Sequence, residues 1–443
     1  MKSENKDFIK LMLSIAPPVI FQELLGASVN IIDTIMVGRA MGVAQVAAVG
    51  LANQILFLFF LMIFGLISGA SIFIGQYFGK NDINSIHKVM GIGLVFNLLV
   101  AVIFFLPSFF VPHLLIGIYS RDPVVIALGS EFLRIVSFSF FFIAIVFTRN
   151  AAMRSMRQTR IPMIITSIAL ILNAIFNYLA IFVFDLGLTG VAAGTTAARF
   201  IELVIQEFVI RFYKLPIKAN FKEYLSFDLS FLRRFFGVSI FVIFNEMGWA
   251  LGTSAYNVAY GLVGTEAQGA VQISMAMTHL FQVFGSSIAI STGIIISNTL
   301  GASQNELATR YARKCIIFGI GISMFMGALL VIFTNPIVAF YQVEPHVERY
   351  ISNILIVAAV VMFVRTTNFT TIVGILRSGG DTKFGMYTDI GGVYLVGLPL
   401  AFLGAYLGLP IYLVFLMASG EEAAKFFFGV KRVYSNKWAN TIV

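Results

Sequence analysis

A few polar side chains interrupt long apolar stretches of this sequence, and their types offer chemistry that apolar residues cannot. Asp33 lies in the first apolar stretch, Asn173 and Asn177 lie four residues apart in the fifth, and Thr195 lies near the start of the sixth. Residues four apart share one face of a helix. Carboxylate, amide and hydroxyl oxygens bind small hard cations or relay protons. These four residues are therefore predicted to form a cation-coupling site that could hold Na⁺.

A second group of candidates lies later in the chain. Glu246 lies in the seventh apolar stretch and is predicted to couple a cation or contact substrate, because an ionisable side chain in hydrocarbon costs on the order of 2.5–3.5 kcal/mol. Glu23 lies in the first stretch and is the counterpart of Glu246 in the internal repeat described below. A structural role is as reasonable for it as a functional one. His279 is expected to pack against neighbouring helices rather than to relay protons. Arg365 and Asp389 could pair with each other or bind an anion or a proton, and the sequence leaves this choice open.

Two further sets of charges have spacings that favour pairing within one helix. Arg199 and Glu202 are three residues apart, and Glu421 and Lys425 are four apart. Pairs at these spacings face each other on a helix, which lowers the cost of placing them in a membrane. A structural role is favoured for both pairs.

The composition shows what kind of element must hold these residues. Of 443 residues, 59% are hydrophobic and only 12% are charged, about half the usual share of a soluble domain. Backbone exposed to lipid must satisfy its own hydrogen bonds, so helices are expected, and the ten-residue alternation of a β-barrel is absent. The apolar stretches predict twelve spans, near residues 11–38, 46–76, 88–112, 123–150, 161–184, 190–212, 234–262, 268–298, 314–338, 350–376, 384–406 and 410–430.

The distribution of basic residues predicts the orientation of these spans. Of the 30 Lys and Arg residues, 22 fall in one set of alternating segments, which includes both termini, and only four fall in the opposite set. Positive charge accumulates on the cytoplasmic side, so both termini are expected in the cytoplasm of a cell (inner or plasma) membrane protein. Topology then accounts for the net charge of +9, and no nucleic-acid partner is expected.

Several classes of function are excluded by what the sequence lacks. Its single cysteine, Cys315, cannot form an internal disulfide, and no Cys/His cluster has the spacing of a structural zinc site. It contains no nucleophile elbow and no phosphate loop ending in Lys-Ser or Lys-Thr. The protein is therefore predicted not to be an enzyme and to need no cofactor other than a coupling ion.

An internal repeat predicts the architecture. Gln22-Glu23 recurs as Asn245-Glu246, an offset of 223 in the numbering, and the basic loop 154–160 recurs at the same offset as loop 377–383. The expected fold is an all-α polytopic membrane protein whose two homologous six-helix bundles are related by a pseudo-two-fold axis along the membrane normal. The predicted divisions are an N-terminal bundle over 1–213, a cytoplasmic linker over 214–232 and a C-terminal bundle over 233–443.

With these spans and paired loops in view, the chain resembles the multidrug and toxic compound extrusion (MATE) family. The resemblance rests on Asp33 followed by Met36-Val37-Gly38-Arg39, and on the tenth-span ending Ile375-Leu376-Arg377-Ser378-Gly379-Gly380-Asp381-Thr382-Lys383. It implies that Asp33, Asn173, Asn177 and Thr195 match the family's polar residues in the first half, and that Glu246 matches its seventh-helix glutamate. Where some members have a second aspartate in the fifth helix, this chain has Asn177.

The resemblance implies a monomeric secondary antiporter. It would export organic, often cationic and amphipathic compounds in exchange for Na⁺ or H⁺ by alternating access. The alternative is a flippase for lipid-linked saccharides, which would line its cavity with several Arg or Lys residues for a pyrophosphate. Apart from the basic residues assigned to the two membrane faces, four are embedded in the predicted helices: Arg149, Arg199, Arg365 and Lys425.

Overall fold

The computed structural model describes residues 2–341 and 343–443, with the side chains at positions 2, 3, 30–35, 39 and 340 outside the described part. These residues form α-helices joined by short turns, as the absence of β-barrel alternation predicts. The helices are α1 (Lys2–Met41), α2 (Val43–Gly79), α3 (Ile83–Phe110), α4 (Pro112–Gly117), α5 (Pro123–Val136), α6 (Ser139–Ser155), α7 (Arg160–Tyr178), α8 (Gly187–Phe212), α9 (Phe221–Tyr224), α10 (Leu229–Val263), α11 (Thr265–Gly301), α12 (Asn305–Tyr341), α13 (Pro345–Phe369), α14 (Thr382–Gly391), α15 (Leu398–Tyr406), α16 (Ile411–Ala418) and α17 (Gly420–Tyr434). Three π-helical segments, Leu179–Val183, Thr370–Leu376 and Gly392–Gly397, extend or join them.

The helices of the described residues match eleven of the twelve predicted spans, and the twelfth falls on two shorter helices. Within the described residues, ten helices are long and apolar enough to cross a membrane, and α5 with α6 makes an eleventh span bent by 50°. The bend follows from two serines that donate to backbone carbonyls, Ser137 Oγ to Arg134 O at 2.7 Å and Ser139 Oγ to Val136 O at 2.6 Å. The twelfth predicted span, 410–430, is divided between α16 and α17.

The backbone repeats itself at the offset seen in the sequence. Helices α2 and α11 have the same length, 37 residues, and begin at the equivalent positions Val43 and Thr265. Gly42 and Gly264, which precede them, both have positive φ, at 97° and 147°, which a side chain would make strained. Further turns with positive φ recur in pairs at an offset of 222 or 223: Asn81 and Ser303, Arg157 and Gly380, Asp185 and Gly408, and Lys214 and Asn436. The two halves therefore share turns as well as helices.

The chain divides into two compact units, one of Phe21–Phe236 and the other of Met1–Ile20 with Gly237–Val443. The predicted divisions assign residues 1–20 to the first bundle instead. The beginning of α1 belongs to the other unit because it packs on α12: the rings of Phe8 and Tyr311 are 5.5 Å apart, and Lys314 Nζ lies 2.7 Å from a Glu4 carboxylate oxygen.

The predicted linker packs against α3. His87 Nε2 lies 2.8 Å from the backbone oxygen of Pro216, and Tyr224 Oη donates to the backbone oxygen of Ile217 at 2.7 Å. Burial raises the pKa of the Tyr224 hydroxyl. A Cβ atom on Gly91 would collide with the Tyr224 carbonyl, so α3 must carry a glycine where the linker crosses it.

The linker ends in a cap for α10. The Asp228 carboxylate accepts hydrogen bonds from the backbone N–H of Phe231 at 2.7 Å and from Ser230 Oγ at 2.8 Å. These two donors hold the pKa of the Asp228 carboxyl below its usual value. Asp228 therefore begins the seventh span with satisfied backbone donors.

Candidate functional site

The structure brings together part of the predicted cation site of the first half. Asn173 Nδ2 donates to Thr195 Oγ1 at 3.1 Å, which joins α7 to α8. Asn177, one turn along α7, is buried, and a Cβ atom on Gly194 would lie 3.2 Å from its Oδ1 atom. Asp33 belongs to α1, but its side chain lies outside the described residues. The amide and hydroxyl part of the site is therefore assembled at one contact between α7 and α8.

A second polar network lies deeper between helices of the same half. Arg199 and Glu202 form the predicted pair within α8, at 2.8 Å. Glu202 is fully buried and accepts a hydrogen bond from Thr166 Oγ1 of α7 at 2.9 Å. Gln206 donates to Asn150 of α6 at 2.8 Å, and Asn150 lies 3.3 Å from Thr166. One carboxylate and one guanidinium thus share a network of neutral partners.

In the second half, Glu246 forms an ion pair. Its Oε1 atom lies 2.7 Å from Arg377 Nη2, and 13% of the Glu246 side chain and 5% of the Arg377 side chain remain exposed. The topology prediction places Arg377 in a cytoplasmic loop, but the side chain is buried and turns back to α10. The Glu246 charge is therefore matched by a basic residue that immediately follows the tenth span.

The repeat mates of this pair are Glu23 and Arg154. They interact electrostatically, and Glu23 is exposed on α1. The same two positions therefore carry the same charges in both halves, but only the second half holds them in a close, buried contact.

Among the side chains that the structure describes, the largest cluster of buried charges surrounds Lys425 of α17. Its ammonium lies 2.7 Å from Asp389 Oδ1 and 3.3 Å from Glu421 Oε1. Asp389 also accepts a hydrogen bond from Asn245 Nδ2 at 2.9 Å, and Glu421 accepts one from Tyr256 Oη at 2.7 Å. The predicted pairing of Glu421 with Lys425 is confirmed, and it is part of a cluster that links α10, α14 and α17.

A neighbouring contact engages Arg365. Its Nε atom lies 3.3 Å from Glu422 Oε1, and Asn368 Nδ2 donates to Glu422 Oε2 at 2.8 Å. The suggested pair of Arg365 with Asp389 does not form, because α17 lies between them with an opposite charge for each. The packing of α17 therefore decides which partners Arg365 and Asp389 have, which the sequence left open.

Two glycines allow this close packing. The π-helical segment Gly392–Gly397 begins and ends with glycine. A Cβ atom on Gly392 would lie 2.7 Å from Lys425 Cε, and one on Gly397 would collide with Tyr256 Oη and lie 3.0 Å from Glu421 Oε2. Segments of this kind occur frequently at functional sites. Here the segment brings backbone directly against both charged residues.

The prediction for His279 is wrong in the structure. Its side chain is exposed on α11, on the stripe that also carries the exposed residues Gln272 and Ala276. The packed stripe of α11 contains Ser274 and Thr278 instead. Because His279 is seven residues from Gln272 and one from Thr278, it faces away from the packed side.

Sequence reasoning missed Tyr256, Glu422 and the role of Arg377. The repeat offset holds a signal that would have pointed to α17. Adding 223 to Thr166 and Glu202 gives Asp389 and Lys425, the residues in contact in the second half. The repeat thus identifies the helix pair that carries the cluster, although the side chains themselves differ.

Comparison with known proteins shows the same repeat. The family model MatE matches residues 18–179 and again residues 242–403. The chain is 24% identical over 433 residues to the "Uncharacterized transporter YisQ" of Bacillus subtilis, with 96% of this chain and 94% of that protein covered. It is 23% identical over 405 residues to the probable multidrug resistance protein NorM of Halalkalibacterium halodurans, with coverage of 89% and 87%.

The fold also matches a solved structure. The crystal structure of the Vibrio cholerae MATE transporter VcmN in the bent form superposes with a TM-score of 0.87 at 18% identity, covering 99% of this chain and all of that one. The two matches of the family model fall one in each predicted half, which confirms the internal repeat. Because these matches span most of the sequence, the chain belongs to the MatE family.

Proposed function

We propose that this multi-pass membrane transporter is a secondary antiporter that exports organic cations in exchange for Na⁺ or H⁺. Entry of the coupling cation would favour one arrangement of the halves, and release of the organic cation would follow from that change. Membership of a family of transporters, with relatives named for multidrug resistance, supports export of small molecules. Both termini are expected in the cytoplasm, and the working unit is expected to be a monomer.

The observation that carries this proposal is the contact between Asn173 and Thr195. Two polar side chains that the sequence assigns to one site are hydrogen-bonded across α7 and α8, with Asn177 one turn away. Asp33 would supply the negative charge that neutral oxygens lack. The proposed coupling site of the first half is thus Asp33 with Asn173, Asn177 and Thr195.

Glu246 stays the second proposed coupling carboxylate. Its pairing with Arg377 means that a cation could bind there only if it displaced the guanidinium. Substituting Glu246 is therefore an independent part of the test.

The flippase alternative is not favoured, because the embedded basic residues are already paired. Arg149 lies 2.8 Å from Glu207, and Arg199, Arg365 and Lys425 each contact a carboxylate as described above. A pyrophosphate would need these bases free to neutralise its charge. The paired arrangement suits an organic cation better than an anionic lipid headgroup.

The test is efflux of a fluorescent organic cation from proteoliposomes under an imposed Na⁺ gradient or an imposed pH gradient. Wild type, Asp33→Asn and Glu246→Gln are compared, and folding is verified by size-exclusion chromatography. Transport driven by one gradient and lost in one variant would identify the ion and its carboxylate. Folded protein that transports no organic cation under either gradient would contradict the proposal.

A further inference from the structure

Two carboxylates in the second half share one ammonium group. Asp389 and Glu421 both contact Lys425, at 2.7 Å and 3.3 Å, and all three side chains are largely buried, with 16%, 9% and 4% exposed. A single positive charge can balance only one of them. Because two nearby carboxylates disfavour simultaneous ionisation, one of the two is expected to hold a proton.

The groups around this pair do not supply the missing positive charge. The elements packed against Glu421 contribute Tyr256 and Tyr260 from α10, Glu422 from α17 and Arg365 from α13. Arg365 is engaged by Glu422, and Arg377, which acts on Asp389, is engaged by Glu246. These ionised side chains therefore comprise four carboxylates and three basic groups, which leaves one carboxylate in excess.

The distances place the proton on Glu421. Asp389 has the shorter contact with Lys425 and also accepts from Asn245, so its negative charge is the better stabilised of the two. Glu421 has the longer contact with Lys425 and a neutral hydroxyl, Tyr256 Oη, on its other oxygen. A carboxylic acid at Glu421 can keep both neighbours and leave the cluster balanced.

A proton suits this cluster better than a metal ion. Among the side chains that the structure describes, no group of three or more His, Cys, Asp or Glu residues is arranged to hold a metal. A proton needs only one carboxylate oxygen.

We propose that the carboxyl pair of Asp389 and Glu421, gathered around Lys425, is a proton-exchange site of the second half. The O–H bond of the Glu421 carboxylic acid breaks, its proton passes to solvent, and the carboxylate that remains is balanced by the incoming organic cation. The reverse exchange reloads the proton when the organic cation leaves. This inference rests on the proposed export of organic cations and assigns a second coupling site to that function.

The first experiment counts protons. Tetraphenylphosphonium is added to the purified, full-length protein in weak buffer, its binding is measured by equilibrium dialysis, and the released protons are measured with a pH electrode. Wild type is expected to release about one proton per bound cation, and Glu421→Gln and Asp389→Asn close to none, because each substitution balances the cluster without a proton.

Glu202→Gln is the matched control. Glu202 is a buried carboxylate of the first half that already has Arg199 as its partner. This variant is expected to release as many protons as wild type. Unchanged release from folded Glu421→Gln, or wild type that binds the cation without releasing protons, would overturn the proton-exchange site and leave antiport through Asp33 intact.

An infrared measurement tests the protonation without any transport substrate. Wild type is expected to show the carbonyl band of a protonated carboxylic acid, which is absent in Glu421→Gln. Tyr256→Phe, which keeps the ring, is expected to shift this band because the carboxyl loses a hydrogen-bond partner. A band that is unchanged in all three proteins would contradict the assignment, whereas a band that behaves as expected in protein unable to bind tetraphenylphosphonium would contradict only the proposed function.

Discussion

The two halves make the same helix contact with opposite charges. In the first half, Thr166 of α7 donates to Glu202 of α8, and at the equivalent positions of the second half Asp389 accepts from Lys425 of α17. The acidic member of the first contact is thus replaced by a base in the second. Arg199, three residues before Glu202, likewise corresponds to Glu422, three residues before Lys425.

This difference shows how a repeat can keep its architecture while its chemistry diverges. Backbone turns and helix contacts recur because they satisfy the packing of each bundle, whereas the charges need only be balanced locally. The first-half network contains one carboxylate and one guanidinium, so it is balanced as it stands. The second-half cluster has an extra carboxylate, and this is the group that we propose exchanges a proton.

The strongest test of this comparison is Lys425→Met. The substitution leaves Asp389 and Glu421 buried without their common partner, and breaking a buried pair costs about 3–5 kcal/mol. We expect the free energy of unfolding to fall by that amount in a titration with sodium dodecyl sulfate. Lys431→Met, on the exposed side of the same helix, is the control. Equal losses of unfolding free energy in both variants would show that the buried cluster contributes no more to stability than an exposed lysine.

A second test compares the two repeat mates Glu246 and Glu23. Glu246→Gln leaves the buried Arg377 guanidinium without a carboxylate and is expected to cost about 2–3 kcal/mol of stability. Glu23→Gln changes an exposed residue and is expected to stay within about 0.5 kcal/mol of wild type. The same unfolding titration measures both. Similar losses of stability in the two variants would mean that the acidic and basic repeat mates stabilise both halves equally.

Glu202→Gln is expected to have a smaller effect on stability. The glutamine can still accept from Thr166, and the Arg199 side chain keeps 22% of its surface exposed, so water can replace part of the lost ion pair. We expect a loss of about 1–2 kcal/mol, read from the same titration. A loss as large as that of Lys425→Met would contradict the view that the two networks differ in charge balance.

The smallest expected effect is that of Thr195→Val, which removes the hydroxyl that accepts from Asn173. One hydrogen bond contributes about 1 kcal/mol, so cation-driven efflux is expected to fall roughly fivefold. Thr196→Val is the matched control, since the neighbouring Thr196 hydroxyl donates to the backbone oxygens of Ala192 and Ile135 and not to a residue of the proposed site. If the control loses as much transport as Thr195→Val, the site of the first half is not where we place it.

Much of the architecture was predictable because its causes are local or repeated. Long apolar stretches predict the spans, since a bilayer sets how many residues each must contain. The repeat of Gln22-Glu23 as Asn245-Glu246 predicts two related halves, and the family model confirms them. Spacing within one helix also predicts contacts correctly, as Arg199 with Glu202 and Glu421 with Lys425 show.

Contacts between helices were predicted less well. The polar residues Asn173 and Thr195, which the sequence assigns to one site, do meet. The suggested pair of Arg365 with Asp389 does not form, because the two side chains face different residues of α17.

The sequence by itself determined that the protein is a helical membrane protein of two repeated halves, because hydrophobic length, basic-residue bias and repetition are properties of the chain. Only the tertiary structure decided which charges meet. Helical periodicity places Asp389 on one face of its helix, but the rotation of that helix against α17 selects Lys425 as its partner. Charge balance in the second half follows from that packing, and with it the assignment of a carboxyl group that can hold a proton.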